Sequence, residues 1–410
     1  MKTMILKYKF FKSSLFGALL ALTALVMWHL PSQQPGGLPH AFSAASLAAD
    51  TQQPQQVAGS IEGTYGVDKN GSATYTIPID IPPGRNHVQP KLSIVYNSGA
   101  GNGLLGQGFQ INGLSAIARC PAEKALDNFT GTVNFDQNDR FCLDGERLIA
   151  VKDASGAGLT TIAAQNTAYG QNGTTYFTRH QTWSRIVSFT ANEQQGPDSF
   201  RVTTKDGWLM SYNQPVKNPN LTSQTWLLGK VTDLNGNYYL INYDIDQTTG
   251  EAHPLNIKYT GNNRVTPSAP PQNQVQFLYG DRPDSTTHYS GGIAIKGTKR
   301  LLEIRSLSNG QWTKFYHFSY TTDNPTGRSL LTSIKTFGAD GNWLPLTTFT
   351  WEPQVKPFSN NPFTVETKDL VPSPAPAEPG APTQLYWYAA DDDSKNPSET
   401  DPTASVPRPS

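Results

Sequence analysis

The chain has 410 residues, with 32 Lys and Arg set against 32 Asp and Glu, and only 16% of its residues are charged. That balance leaves no net field to draw it to nucleic acid or to an anionic membrane, and the charge is low for a cytosolic helical protein. Thirty-five Gly, 31 Pro and 43 aromatic residues against 4 Met fit a strand-and-turn chain of two or three domains or one large β structure.

At the N-terminus Lys2, Lys7, Lys9 and Lys12 precede an apolar run over residues 15–30, followed by a polar stretch and small residues up to Ala49. Residues 1–49 therefore read as a signal peptide or N-terminal anchor. Cleavage falls after Ala48 or Ala49, or nearer His29, or does not occur. The run has 16 residues, short of the roughly 20 that a spanning helix needs. In each case the body of the protein leaves the cytoplasm for the periplasm, the cell surface or the outside. Membrane contact is expected only through this segment, if it stays uncleaved. Residues 50–60 read as a flexible lead-in.

Residues 71–119 are the most informative stretch. Within them Gly101-Asn102-Gly103-Leu104-Leu105-Gly106 fits the dinucleotide fingerprint G-x-G-x-x-G. That chemistry needs a helix after the glycines, whose N-terminal N–H groups and dipole hold a pyrophosphate. Gly106, Gly108 and Asn112-Gly113 follow instead, and each Gly costs a helix about 1 kcal/mol against Ala. The glycines read as sharp turns and close backbone approaches between strands, and no cofactor is expected.

Cys120 and Cys142 are the only cysteines. An even count in an exported chain implies a bridge, closing a loop of about 22 residues that is worth roughly 3 kcal/mol; two buried free thiols are the alternative. No metal site is expected, since neither has a Cys or His at ligand spacing.

Alternating apolar residues continue at short intervals: Ile77, Ile79 and Ile81; Trp208, Met210 and Tyr212; Tyr239, Ile241, Tyr243 and Ile245; Val275, Phe277 and Tyr279. Further on, Trp312, Tyr316, Phe318 and Tyr320 read as one face of a strand and Phe315 as the other, while Arg300 and Arg305 read as a solvated face. Aromatic stripes at period two read as core. No helical stripe runs over three turns, so the expected fold is all-β, a large multi-stranded antiparallel structure over residues 61–355. Residues 356–410 read as a Pro-rich linker and disordered tail, and Asp391-Asp392-Asp393 lacks the spacing of a Ca²⁺ loop. No H-E-x-x-H, C-x-x-C, G-x-S-x-G or P-loop occurs, and the seven His are scattered singly. No catalytic residue is assigned, although paired carboxylates that meet only in the fold would escape such a reading.

Several ordered motifs resemble the N-terminal domain of the Salmonella virulence plasmid B protein (SpvB) family, which also opens the B subunits of bacterial toxin complexes. They are Ala73-Thr74-Tyr75-Thr76-Ile77-Pro78-Ile79, Pro82-Pro83-Gly84, residues 92–98 and Gly103-Leu104-Leu105-Gly106-Gln107-Gly108-Phe109. Asp139-Arg140-Phe141-Cys142-Leu143-Asp144-Gly145, Val231-Thr232-Asp233-Leu234-Asn235-Gly236-Asn237 and Lys299-Arg300-Leu301 continue the series. Gly327-Arg328-Ser329-Leu330-Leu331 and Leu344-Pro345-Leu346-Thr347-Thr348-Phe349-Thr350-Trp351 close it.

The resemblance implies part of a β shell, built with YD/RHS-type repeats, that encloses a toxic polypeptide and joins it to a pore-forming subunit. Residues 233–237 with Tyr243-Asp244 look like one degenerate repeat. The chain stops 59 residues after Trp351, so the family's transferase or propeller activities are not carried over, and a truncated product or a free-standing shell piece both fit. The expected role is a non-enzymatic, exported, toxin-associated assembly module with a protein partner, a YD/RHS-repeat shell or a pore-forming toxin subunit. A surface binding or adhesion module and an enzyme stand behind it.

Overall fold

Alternation of apolar and polar residues, broken by Gly- and Asn-rich turns, builds strands almost throughout. The computed structural model describes residues 54–191, 196–218 and 222–351. The expected signal segment and the tail from residue 356 lie outside the described residues. Seven strands come first: β1 (Thr64–Val67), β2 (Ala73–Pro78), β3 (Ser93–Asn97), β4 (Asn102–Gly103), β5 (Gly106–Gln107), β6 (Phe109–Asn112) and β7 (Ala116–Cys120). Helix α1 (Lys124–Asp127), β8 (Arg140–Leu143), β9 (Glu146–Lys152) and helix α2 (Ile162–Ala168) follow. Then come β10 (Thr175–Thr178), β11 (Arg185–Phe189), β12 (Ser199–Thr203), β13 (Leu209–Lys217) and β14 (Ser223–Thr232). The chain continues through β15 (Asn237–Asp246), β16 (Glu251–Asn262), β17 (Asn273–Ser290), β18 (Ile293–Ser308), β19 (Gln311–Thr321), β20 (Leu330–Gly338) and β21 (Thr347–Thr348).

β14 organises the molecule. One edge pairs with β13 along nearly its whole length. The other edge is shared end to end: Thr225, Trp226 and Leu227 pair with Ala118, Ile117 and Ala116 of β7, and Lys230, Val231 and Thr232 pair with β15. Strands β7 to β14 therefore close into an eight-stranded antiparallel barrel, and β15 to β21 run on from it as an open antiparallel sheet. Eight strands leave an interior just wide enough for side chains. Here it is filled by aromatics: Phe141 lies 5.3 Å from the Tyr169 ring, 5.2 Å from Phe200 and 5.3 Å from Trp226. Trp226, fully buried, donates from Nε1 to the Pro197 carbonyl at 2.7 Å, so its one polar atom is satisfied.

The order β1-β2-β3-β6 forms a separate small sheet. Its Ile77, Ile94 and Phe109 join the same core as Val275, Ile304, Tyr316 and Ile334 of the open sheet. Polar ties fix the contact: the Asp80 N–H donates to Tyr316 Oη at 2.9 Å, and Tyr259 Oη donates to the Pro82 carbonyl at 2.9 Å. Within the expected lead-in, Gln56 pairs with Trp343, and the Val57 N–H donates to the Trp343 carbonyl at 2.9 Å.

Three features differ from expectation for identifiable reasons. Helix α2 has no apolar stripe to betray it. Its Thr161 Oγ1 caps the Ala164 N–H, and within it only Ala168 is buried. Trp312 does not share a face with Tyr316, because a register shift between Ser306 and Leu307 on the partner strand turns it toward Phe315, 5.6 Å away. Arg300 is no solvated residue: it is half-buried, donates to Ser329 Oγ at 2.8 Å and lies 4.4 Å over the Tyr320 ring.

His253 on β16 gives the fold a pH dependence. It packs 4.3 Å from the Tyr279 ring, and its Nδ1 has no partner. Burial lowers its pKa; Asp244, 3.5 Å away and largely exposed, pulls upward but does not win. The unfolded chain binds this proton near pH 6.5 while the fold still refuses it, so stability rises with pH through the window just below 6.5. The urea midpoint is expected to fall between pH 7.5 and 5.5, and to fall less in His253→Phe, which keeps the ring contact.

Candidate interaction surface

The glycine run forms a hairpin. β4 and β5 pair antiparallel, Asn102 with Gln107 and Gly103 with Gly106, and a strand follows where a phosphate site needs a helix. Family motifs far apart in sequence meet around it. The Gln107 N–H donates to the Ser329 carbonyl at 2.8 Å, and the Leu301 N–H donates to the Leu104 carbonyl at 2.9 Å. Asp284 accepts from the Ser329 N–H at 2.6 Å, from Ser329 Oγ and from Asn102 Nδ2 at 2.8 Å. Burial pushes the Asp284 carboxyl up, but these donors and the Arg282 charge outweigh it and hold it below the carboxylate range. Gly106 sits at φ +88°, where an added Cβ would lie 2.4 Å from the Ser329 carbonyl oxygen. Gly106→Ala is therefore expected to destabilise by about 1–3 kcal/mol, read as a lower urea midpoint at unchanged m.

The hairpin delivers Gly108 and Phe109 to the edge of an aromatic groove. Gly108, at φ +76°, leaves room for Tyr96, whose ring would lie 2.6 Å from a Cβ there. Tyr96 and Phe109 are 5.0 Å apart, Phe349 is 5.0 Å from Phe109, and Trp351 is 6.0 Å from Tyr96. Trp351 Nε1 donates to the Leu331 carbonyl at 2.8 Å, pinning the closing motif to β20. With Tyr75 and Thr347 to Thr350, these rings line a cavity of about 410 Å³ between the small sheet and the last strand of the open sheet. Its chemistry is apolar with hydroxyl edges, suited to holding another chain's side chains.

The barrel carries the two cysteines. Cys120 on β7 and Cys142 on β8 are diagonal neighbours, with Cα atoms 5.9 Å apart and the sulfurs bonded. The loop they close contains Asp127, which sequence reasoning missed. Asp127 Oδ1 accepts from Arg140 Nε and Arg147 Nη2, both at 2.7 Å, and all three side chains are buried. Burial would raise the Asp127 carboxyl, but the Arg140 hydrogen bond, the Glu123 N–H and both guanidinium charges hold it low. Asn166 of α2 accepts from Arg140 Nη2 at 2.8 Å and donates to the Asp127 carbonyl at 2.9 Å, locking both helices to β8 and β9. The signal was present in Asp139-Arg140-Phe141, a charged pair beside an aromatic in a strand, but its partner lies 13 residues away. Among the described residues no group of three or more His, Cys, Asp or Glu is placed to hold a metal ion, and no helix is long and apolar enough to cross a membrane.

Barrel, open sheet and groove together define a large all-β scaffold with an aromatic surface at its C-terminal sheet edge. The chain belongs to the SpvB family, described as Salmonella virulence plasmid 65kDa B protein, whose model matches residues 67–333. Among solved structures, the TcdB2-TccC3 crystal structure aligns with a TM-score of 0.52 at 18% identity, over 77% of this chain and 17% of that one. A Photorhabdus luminescens Tc holotoxin pore aligns with a TM-score of 0.51 at 17% identity, over 72% of this chain and 16% of that one. The N-terminal domain of effector protein SpvB from Salmonella typhimurium strain LT2 aligns with a TM-score of 0.49 at 17% identity, over 64% of this chain and 98% of that one. This chain thus spans less than a fifth of the toxin-complex chains it matches. Comparison with curated proteins returns no match.

Proposed function

We propose that this chain is a non-enzymatic, exported assembly module of a toxin system, contributing β sheet to a shell that encloses or delivers a toxic partner. The observation that carries the reading is the unfinished sheet edge. The open sheet ends in the two-residue β21, and the groove of Tyr75, Tyr96, Phe109, Phe349 and Trp351 opens beside it. Exposed edges and apolar grooves are normally covered by more sheet or by a partner. Family membership and the toxin-complex fold support a YD/RHS-repeat or pore-forming toxin subunit as that partner. The hairpin at Asp233, whose carboxylate accepts from the Asn235 N–H, the Asn237 N–H and Asn237 Nδ2, each at 2.8 Å, supports the repeat-like reading.

Thr348 and Thr350 line the groove and are exposed, so a Thr348→Arg/Thr350→Arg variant charges it without disturbing the core. Tagged chain purified from its host is expected to bring down a toxin subunit in stoichiometric amount, and the variant at least about tenfold less, at unchanged melting temperature. Equal recovery by both would remove the groove from the reading.

A further inference from the structure

The barrel has a second, chemically different opening. At one end, where β7, β8 and β14 bring Arg119, Asp139 and Ser223 together, a buried ion pair closes it: Arg119 Nη1 lies 3.0 Å from Asp139 Oδ2, and Arg119 Nε donates to the Ser223 carbonyl at 2.7 Å. At the other end, where β9, β11 and β13 begin and β8, β10 and β12 finish, the interior opens into a cavity of about 430 Å³. That volume is within the roughly 300–1,000 Å³ of small-molecule sites, which favour the mouths of β-barrels.

The floor is apolar, with Val202 and Met210, and the wall is built of hydroxyls and carboxylates. Ser115 Oγ donates to Asp144 Oδ2 at 2.6 Å and lies 2.8 Å from Tyr212 Oη. Thr204 Oγ1 accepts the Trp208 N–H at 3.1 Å, which leaves its own hydrogen to donate. Glu146 Oε1 takes the His180 N–H at 3.1 Å and His180 Nδ1 at 2.8 Å, and that backbone bond holds the carboxyl low, ionised and able to accept.

The rim loop adds a flat apolar face. Trp183 lies between the lining residues Thr182 and Ser184, is 72% exposed, and has φ +59°, an outlier for so bulky a residue. The loop is tied down: the Thr182 N–H donates to Thr178 Oγ1 at 3.2 Å, and the Trp183 N–H donates to Gln181 Oε1 at 3.2 Å. A strained, exposed indole held beside a polar cavity is a feature that folding stability alone does not reward.

We infer that the barrel mouth binds a neutral carbohydrate. Asp144 and Glu146 repel anions. Both carboxylates already hold hydrogen-bond donors, which leaves little unpaired negative charge for a cation. What remains is an array of acceptors and hydroxyl donors beside an aromatic ring, matching a sugar with polar edges and an apolar face.

The test uses the full chain on a glycan microarray. Titrations with methyl β-galactoside, N-acetylglucosamine and cellobiose follow, with sialyllactose as the anionic comparator and spermine as the cationic one, read by tryptophan fluorescence and saturation-transfer NMR. Binding of at least one neutral probe is expected, weakened about tenfold in both Trp183→Ala and Glu146→Gln at unchanged melting temperature. The NMR readout keeps the Trp183 variant informative after its fluorophore is gone. No neutral-glycan signal, a preference for sialyllactose or spermine, or binding that survives both substitutions would overturn the inference.

Discussion

Replacing Asp127 by Ala is expected to cost about 3–5 kcal/mol, because it leaves two buried guanidiniums facing each other without their shared counter-charge. Arg140 and Arg147 have side chains only 1% and 5% exposed, so water cannot take the carboxylate's place. Cation–π contacts soften the loss without removing it: Arg140 lies 4.6 Å over the Tyr169 ring and Arg147 5.2 Å over the same ring. Asp127→Asn, which keeps an acceptor but loses the charge, should fall between wild type and Asp127→Ala. The pH signature is specific. The folded carboxyl is depressed, so its stabilisation is present above the unfolded value of about 3.9 and is lost as pH falls through the folded value. Wild type should therefore lose stability below about pH 4 more steeply than either variant. A denaturation midpoint unchanged in Asp127→Ala would show that the cluster is not the clasp its geometry indicates.

The second large effect concerns the bridge. Cys120→Ala/Cys142→Ala is expected to destabilise by about 3 kcal/mol, chiefly by freeing the 22-residue loop in the unfolded chain. That loop carries Asp127 and Asp139, the acidic partners of Arg140, Arg147 and Arg119. Crosslink and ion clusters thus act on one segment, and their losses should not add. The check is calorimetric melting of the two single lesions and their combination under oxidising conditions, with wild type under reductant as a control. Equal melting of wild type with and without reductant would contradict the expectation.

Much of the strand content was legible because period-two stripes are local. Ile77 and Ile79, Val275 and Phe277, and Tyr316 and Phe318 alternate as a half-buried strand requires, and all six are buried. Barrel closure was not legible. It depends on β14 meeting β7 more than 100 residues earlier on one edge while holding β13 on the other, and nothing in either segment records that choice. Side-chain parity failed at Trp312 because one bulge inverts every face beyond it. The glycine hairpin was readable as turns, but its clamp was not, since Asp284, Arg300 and Ser329 come from three distant segments and look like solvated polar residues when read singly. The groove lay half-hidden in the same way: Tyr96, Phe109 and Trp351 are visible as strand aromatics, and only the fold makes them one surface.

Native mass spectrometry of the tagged chain from its host tests the central claim most directly, because it reports the mass and the identity of whatever is bound. The account predicts a stoichiometric complex with a YD/RHS-repeat or pore-forming toxin subunit. A species no heavier than the chain itself would contradict it and leave a stand-alone binding module.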